Sequence, residues 1–107
     1  MNYFLSRAAD ADLQDIYQFG YGVWGEHRTA RYIYDLYDLF DRLSLSPGMG
    51  RARPDIHVVL QSFPHESHMV FFRQLNRQIA IVRVLHGAAN HHKQFEDYDP
   101  VADLPTG

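Results

Sequence analysis

Cysteine is absent from the 107 residues. Disulfide stapling is therefore excluded, and a reducing, cytoplasmic setting is expected. No run of about 18 apolar residues occurs, so no membrane-spanning helix and no membrane partner are expected. The opening Met1-Asn2-Tyr3-Phe4-Leu5-Ser6-Arg7 has no basic segment ahead of a long apolar core and does not read as a signal peptide. Lysine is nearly missing: nine of the ten basic residues are arginine, and Lys93 stands late in the chain. There is no strong basic stripe of the kind that grips nucleic acid. Neither a glycine-rich phosphate loop nor a Ser-His-Asp arrangement is evident.

What is present is ordinary globular composition, 46% hydrophobic and 21% charged, in a length that suits one domain. Its charge is segregated. Residues 1–46 carry four arginines against seven Asp and Glu; residues 47–93 carry five arginines and Lys93 against Asp55 and Glu66; residues 94–107 carry four acids and no base. A moderately basic middle suits an acidic partner, although an unevenly charged solvated surface reads the same way.

Tyr3 to Ser6 reads as a short strand. A helix follows from Ser6 or Arg7, with Leu13, Ile16, Tyr17, Gly20 and Trp24 on one stripe and Asp10, Asp12 and Asp15 in its early turns. Gly25 is placed as its end. A two- or three-residue link leads to a second helix from Glu26 to about Ser44, antiparallel to the first. Its apolar face (Tyr32, Ile33, Leu36, Tyr37, Leu39, Phe40, Leu43) spans roughly 160°, wider than the roughly 100° a surface helix needs. Such width fits a helix packed on two neighbours, or one that offers an edge to a partner. Ser46-Pro47-Gly48-Met49-Gly50 breaks the helical half, and Arg51 to Asp55 reads as an irregular connection. Three strands are expected at about His57–Phe63, Ser67–Leu75 and Gln78–His86, separated by Pro64 and by Asn76-Arg77. The expected fold is α+β in the order β-α-α-β-β-β: a helix hairpin on a small, mostly antiparallel sheet. Residues 1–86 make the domain. Residues 87–107, with Pro100 and Pro105, make a tail that is partly flexible or ordered by a partner.

The last strand, Ile79 to His86, holds an arginine among branched apolar residues. A charge there needs a partner or a working surface. A two-residue turn at Asn76-Arg77 pairs Leu75 with Gln78 and Phe72 with Ile81. Val70, Phe72, Ile79, Ile81 and Leu85 then share a face with His68 and Arg83, while Met69, Phe71, Ala80, Val82 and Val84 share the other with Arg73 and His86. The larger aliphatics put the first face under the helices. Arg83 is then buried, with Asp12 or Asp15 as its ion-pair partner. The second face is left open, apolar and in need of cover. His68, His86, His91 and His92 invite a metal reading, but adjacent histidines on a loop rarely share one ion, so neither a metal nor another cofactor is expected.

These residues in this order resemble the ParE branch of the RelE/ParE toxin superfamily. The resemblance runs through about residues 3–86. It rests on Leu5-Ser6, Asp12-Leu13, Ile16-Tyr17, Trp24-Gly25, Ala30, Tyr32, Leu36, Phe40, Leu43, Pro47, Gly50-Arg51, Phe63-Pro64, Ser67-His68, Phe71-Phe72-Arg73 and Ile81 to His86. It departs after His86, where Gly87-Ala88-Ala89 replaces the usual Arg or Met and then Asp. The resemblance implies the toxin of a type II toxin–antitoxin module. Such a toxin binds and poisons DNA gyrase, is neutralised by a ParD-like antitoxin, and meets DNA only through that antitoxin. Antitoxin contacts are then expected at Tyr17, Tyr21, Trp24, Tyr32, Leu39, Met69, Phe71 and Arg73. Target contacts are expected at Arg51, Arg53, His86, His91 and His92. The alternatives are a degenerate toxin of weak activity and a RelE-like ribosome-dependent messenger RNA endonuclease. The endonuclease would use Arg73, Arg83 and His86, with no other catalytic residue expected.

Overall fold

The structure, a computed structural model, describes residues 2–103. Pro105, placed in the tail above, lies outside them. Strand β1 (Tyr3–Leu5) leads into α1 (Arg7–Trp24) and α2 (Glu26–Leu45); a 3-10 turn (Pro47–Met49) follows, then β2 (Arg51–Ala52), β3 (Leu60–His65), β4 (His68–Leu75), β5 (Gln78–His86) and a short α3 (His91–Gln94). The five strands form one sheet in the order β1-β5-β4-β3-β2. Only β1 runs parallel to its neighbour β5.

Ser6 caps α1: its Oγ accepts from Ala9 N and donates to Val82 O at 2.7 Å. The link between the helices is a single residue, Gly25, not the two or three expected. Its φ of +84° is a left-handed value that glycine tolerates without cost. Gly20 on α1 faces Thr29 on α2, and a Cβ at Gly20 would lie 2.8 Å from Thr29 Oγ1. Close helix approach is therefore built on the missing side chain.

The helix hairpin covers one face of the sheet. Leu13, Leu36, Leu39, Phe40 and Leu43 pack there against Val70, Phe72, Ile79, Ile81 and Val84. At about 1.5–3 kcal/mol per fully buried large apolar side chain, this cluster is the main source of stability. A second cluster (Leu60, Phe71, Val82, Leu85, Phe95) lies on the outer face.

Three strand expectations change. Arg51-Ala52 is a short edge strand paired with Gln61 and Ser62. β3 starts at Leu60 rather than His57, and Pro64 lies inside it. Leu60 O accepts from Arg53 N toward β2. Strand alternation turns the proline nitrogen to that same outer edge, where no hydrogen is needed. The β3–β4 turn falls instead at Glu66-Ser67, with Glu66 at φ 49°.

The third change is one of sides. Leu75 pairs with Gln78 and Phe72 with Ile81, but Phe71 pairs with Arg83, so Val82 is an extra residue on β5. A bulge of this kind reverses the alternation beyond it. Val84 therefore packs under the helices, Leu85 on the outer face, and His86 opposite His68 at the helix side.

The outer face is not left open, contrary to the sequence reading. Residues 91–103 cross it, with Phe95 and Tyr98 packed on it.

Candidate functional site

β1 pairs with β5 only as far as Ile81. Beyond that point α1 replaces the missing strand. Asp12 accepts from Val84 N at 2.9 Å and takes the Arg83 guanidinium in a two-pronged bond, Nε to Oδ2 at 2.8 Å and the second nitrogen to Oδ1 at 2.9 Å. The Asp12 bond raises the Arg83 pKa against the opposing effect of burial. The guanidinium also lies 5.4 Å from the Tyr98 ring centroid. Arg83 thus starts opposite Phe71 on the outer face, not on the helix face expected from strand alternation, and reaches round the bulged strand edge to Asp12. Asp15, the other acid considered for it, lies exposed one helical turn on.

Between α1 and the ends of β4 and β5 lies a cleft of about 430 Å³. Ile16, Phe19 and Trp24 form its helix wall, Val84 and Leu85 its sheet wall, and Asp15, His68 and His86 its polar points. Phe19 is 68% exposed at its lip. His65, His68 and His86 stand in one row across three strands, each opposite the next. Tyr32 Oη bonds His68 Nδ1 at 2.6 Å. Burial, then the Glu66 charge, push the Tyr32 hydroxyl up to about 12. Burial, then the neighbouring His86 and His65, lower the His68 pKa, so that ring is neutral at neutral pH. Among the described residues, no group of three or more His, Cys, Asp or Glu side chains is placed to hold a metal ion. His91 points to His86 O at 3.1 Å, and His92 pairs with Asp55 at 3.0 Å.

The residues proposed for RNA cleavage do not converge. Arg73 lies opposite Ala80 and His86 opposite His68, five residues apart along β4, or about 17 Å. Arg73 donates to Pro100 O at 3.2 Å across the outer face, while His86 is on the helix side. Of the five target-contact candidates, Arg53 and His92 meet at Asp55, whose carboxyl the Arg53 hydrogen bonds hold down at about 2. His91 packs on Phe71, 5.1 Å between ring centroids, and Arg51 is exposed on the edge strand. His86 belongs to the cleft instead.

Two of the eight antitoxin-contact candidates are unavailable as placed. Leu39 is 1% exposed and belongs to the core. Phe71 is fully buried beneath His91, Phe95 and Arg53. Tyr17 and Tyr21 are exposed and adjacent on α1, 6.2 Å between rings. Trp24 and Tyr32 are half-buried neighbours at 5.9 Å, Trp24 lining the cleft and Tyr32 bonded to its rim. Met69 is half-buried on the outer face. The sequence reading missed Phe19 as a cleft residue, since it lies off the apolar stripe of α1. It also missed Phe95, Tyr98 and Asp103, whose signal was two aromatics three residues apart in an otherwise acidic tail.

The family model described as "ParE toxin of type II toxin-antitoxin system, parDE" matches residues 3–91. Toxin ParE1 of Caulobacter vibrioides is 34% identical over 88 residues, 82% of this chain and 91% of that protein. Toxin ParE1 of Mycobacterium tuberculosis H37Rv is 35% identical over 85 residues, 78% of this chain and 87% of that protein. A solved chain described as "Chromosomal ParDE TA system from P. aeruginosa" superimposes with a TM-score of 0.69 at 23% identity, covering 80% of this chain and 95% of that one, a likeness of fold. With the α+β fold, the motifs from Leu5 to His86 and these relatives all in agreement, the chain belongs to the ParE toxin family of type II toxin–antitoxin systems.

Proposed function

We propose that this toxin acts on DNA gyrase by binding, and that a ParD-like antitoxin neutralises it by covering the α1 cleft. One observation carries the choice of binding over RNA cleavage. The cations that scission needs are already occupied: Arg83 by Asp12, Arg73 by the Pro100 carbonyl, Arg53 by Asp55. Phosphoryl chemistry without metal requires free cations beside an acid and a base. The α1 cleft is instead largely apolar, with Trp24 and Phe19 as walls. A groove of that character suits apolar anchors from an amphipathic partner segment. Tyr17, with Tyr21 beside it, faces the groove between α1 and α2 instead of this cleft. Target contacts are assigned to the opposite end of the chain's surface, around Arg51, Arg53 and His92.

The test sets two assays side by side. Purified chain is added to gyrase in a supercoiling reaction and to a translating extract. Supercoiling should fail while translation continues, and a ParD-like antitoxin should restore supercoiling. Intact supercoiling with transcripts cut at defined positions would replace this reading with ribonuclease action.

A further inference from the structure

The stretch beyond the family match, from His92 on, carries its own architecture. Phe95 is 5.2 Å from Phe71 and 5.7 Å from Tyr98, ring to ring. Pro100 is buried, and its carbonyl takes Arg73 Nε. The chain then ends its crossing at α1. The Asp103 carboxylate accepts from Arg7 N and Ala8 N, each at 3.1 Å, and also bonds the Tyr98 hydroxyl.

These contacts complete an account of the helix start. An α-helix leaves its first amides without internal partners. Here Ser6 N bonds Ile81 O, Ala9 N bonds Ser6 Oγ, and the two amides between them are met, among the described residues, by Asp103. A carboxylate at a helix N-terminus is also favoured by the helix dipole. Residues 92–103 make no strand pairing with the sheet. Its fastening is therefore a few side chains and one charged end.

We propose that residues 95–103 form a strap that closes the outer sheet face, latched by the Asp103 carboxylate on α1, and that removing this carboxylate opens the strap as a unit while the domain stays folded. Opening uncovers Phe71, Val82 and Leu60, all fully or almost fully buried now. The strap thus decides whether the toxin presents a further apolar surface besides the α1 cleft.

Native-state hydrogen exchange on the full-length chain tests it. In Asp103→Ala, the amides of Arg7, Ala8, Phe95 and Glu96 should exchange at least about tenfold faster, as expected when charged hydrogen bonds are lost. Val70 and Ile81, in the core strands, should keep their rates. Unchanged strap amides, or equal acceleration everywhere, would overturn the proposal. The wild-type chain supplies a second reading should the variant fold poorly. There Arg7 and Ala8 should open together with Phe95 and Glu96, and more readily than Val70 and Ile81. Arg7 and Ala8 opening only with the core would equally overturn it.

Discussion

At the scale of single residues, the Asp12–Arg83 pair controls the most. Both side chains are largely buried, 12% and 15% exposed, and Asp12 also satisfies a strand amide. Removing one member of a buried pair leaves the other charge stranded, which costs about 3–5 kcal/mol. Asp12→Ala should therefore lower the urea midpoint strongly. The double variant Asp12→Leu with Arg83→Met should recover most of that loss, because no charge remains unpaired. Equal losses in both variants would show that the pair does not set stability. His68 adds a pH dependence. Its folded pKa is depressed, so the unfolded chain takes up the proton first as pH falls. Its contribution is complete above the unfolded value of about 6.5 and is lost as pH drops through the lower folded value. Chemical denaturation at pH 7 and pH 5 should show a smaller decline for His68→Gln than for the wild type.

At the scale of elements, the helix pair shows packing overriding propensity. Gly20 and Gly22 sit two residues apart on α1, and both weaken a helix by propensity alone. A Cβ at Gly20 strikes Thr29, whereas one at Gly22 meets nothing within 4 Å. Gly20→Ala should cost about 1–3 kcal/mol from overpacking. Gly22→Ala should gain about 0.5–1 kcal/mol. Thermal melts of the two variants should move in opposite directions. The helices, their caps and β4 and β5 were legible because apolar period, Ser6, Gly25 and Asn76-Arg77 are local signals. The need of Arg83 for an acid was legible too, since a charge in an apolar strand demands one. The face of each residue past Val82 was not. A bulge is one residue in size, leaves no compositional mark at Val82, and reverses every side chain after it. Pro64 misled for a related reason: it breaks interior strands but fits an edge, and edge position is a tertiary property.

At the scale of the whole molecule, family membership and fold were readable from residue order over nearly the full domain. The site was less so, because it depends on how surfaces are covered. Alternation in β4 and β5 identifies two apolar faces. It says nothing of the tail that returns over one of them, for that contact spans residues far apart in sequence. Phe71 is expected at a partner for this reason, and the tail covers it; Leu39 is covered instead by the core between the helices and the sheet. The gyrase and translation assays described above address the molecule at this scale, since they read out the whole surface and not any single contact.

The proline in β3 carries one last consequence. Past the two residues of β2, the flank of β3 is where a second copy of the sheet would join end to end. A ladder cannot be extended through a position that offers no amide hydrogen. Pro64 thereby blunts this flank of the sheet against backbone pairing with a second copy, leaving β1 as the other edge.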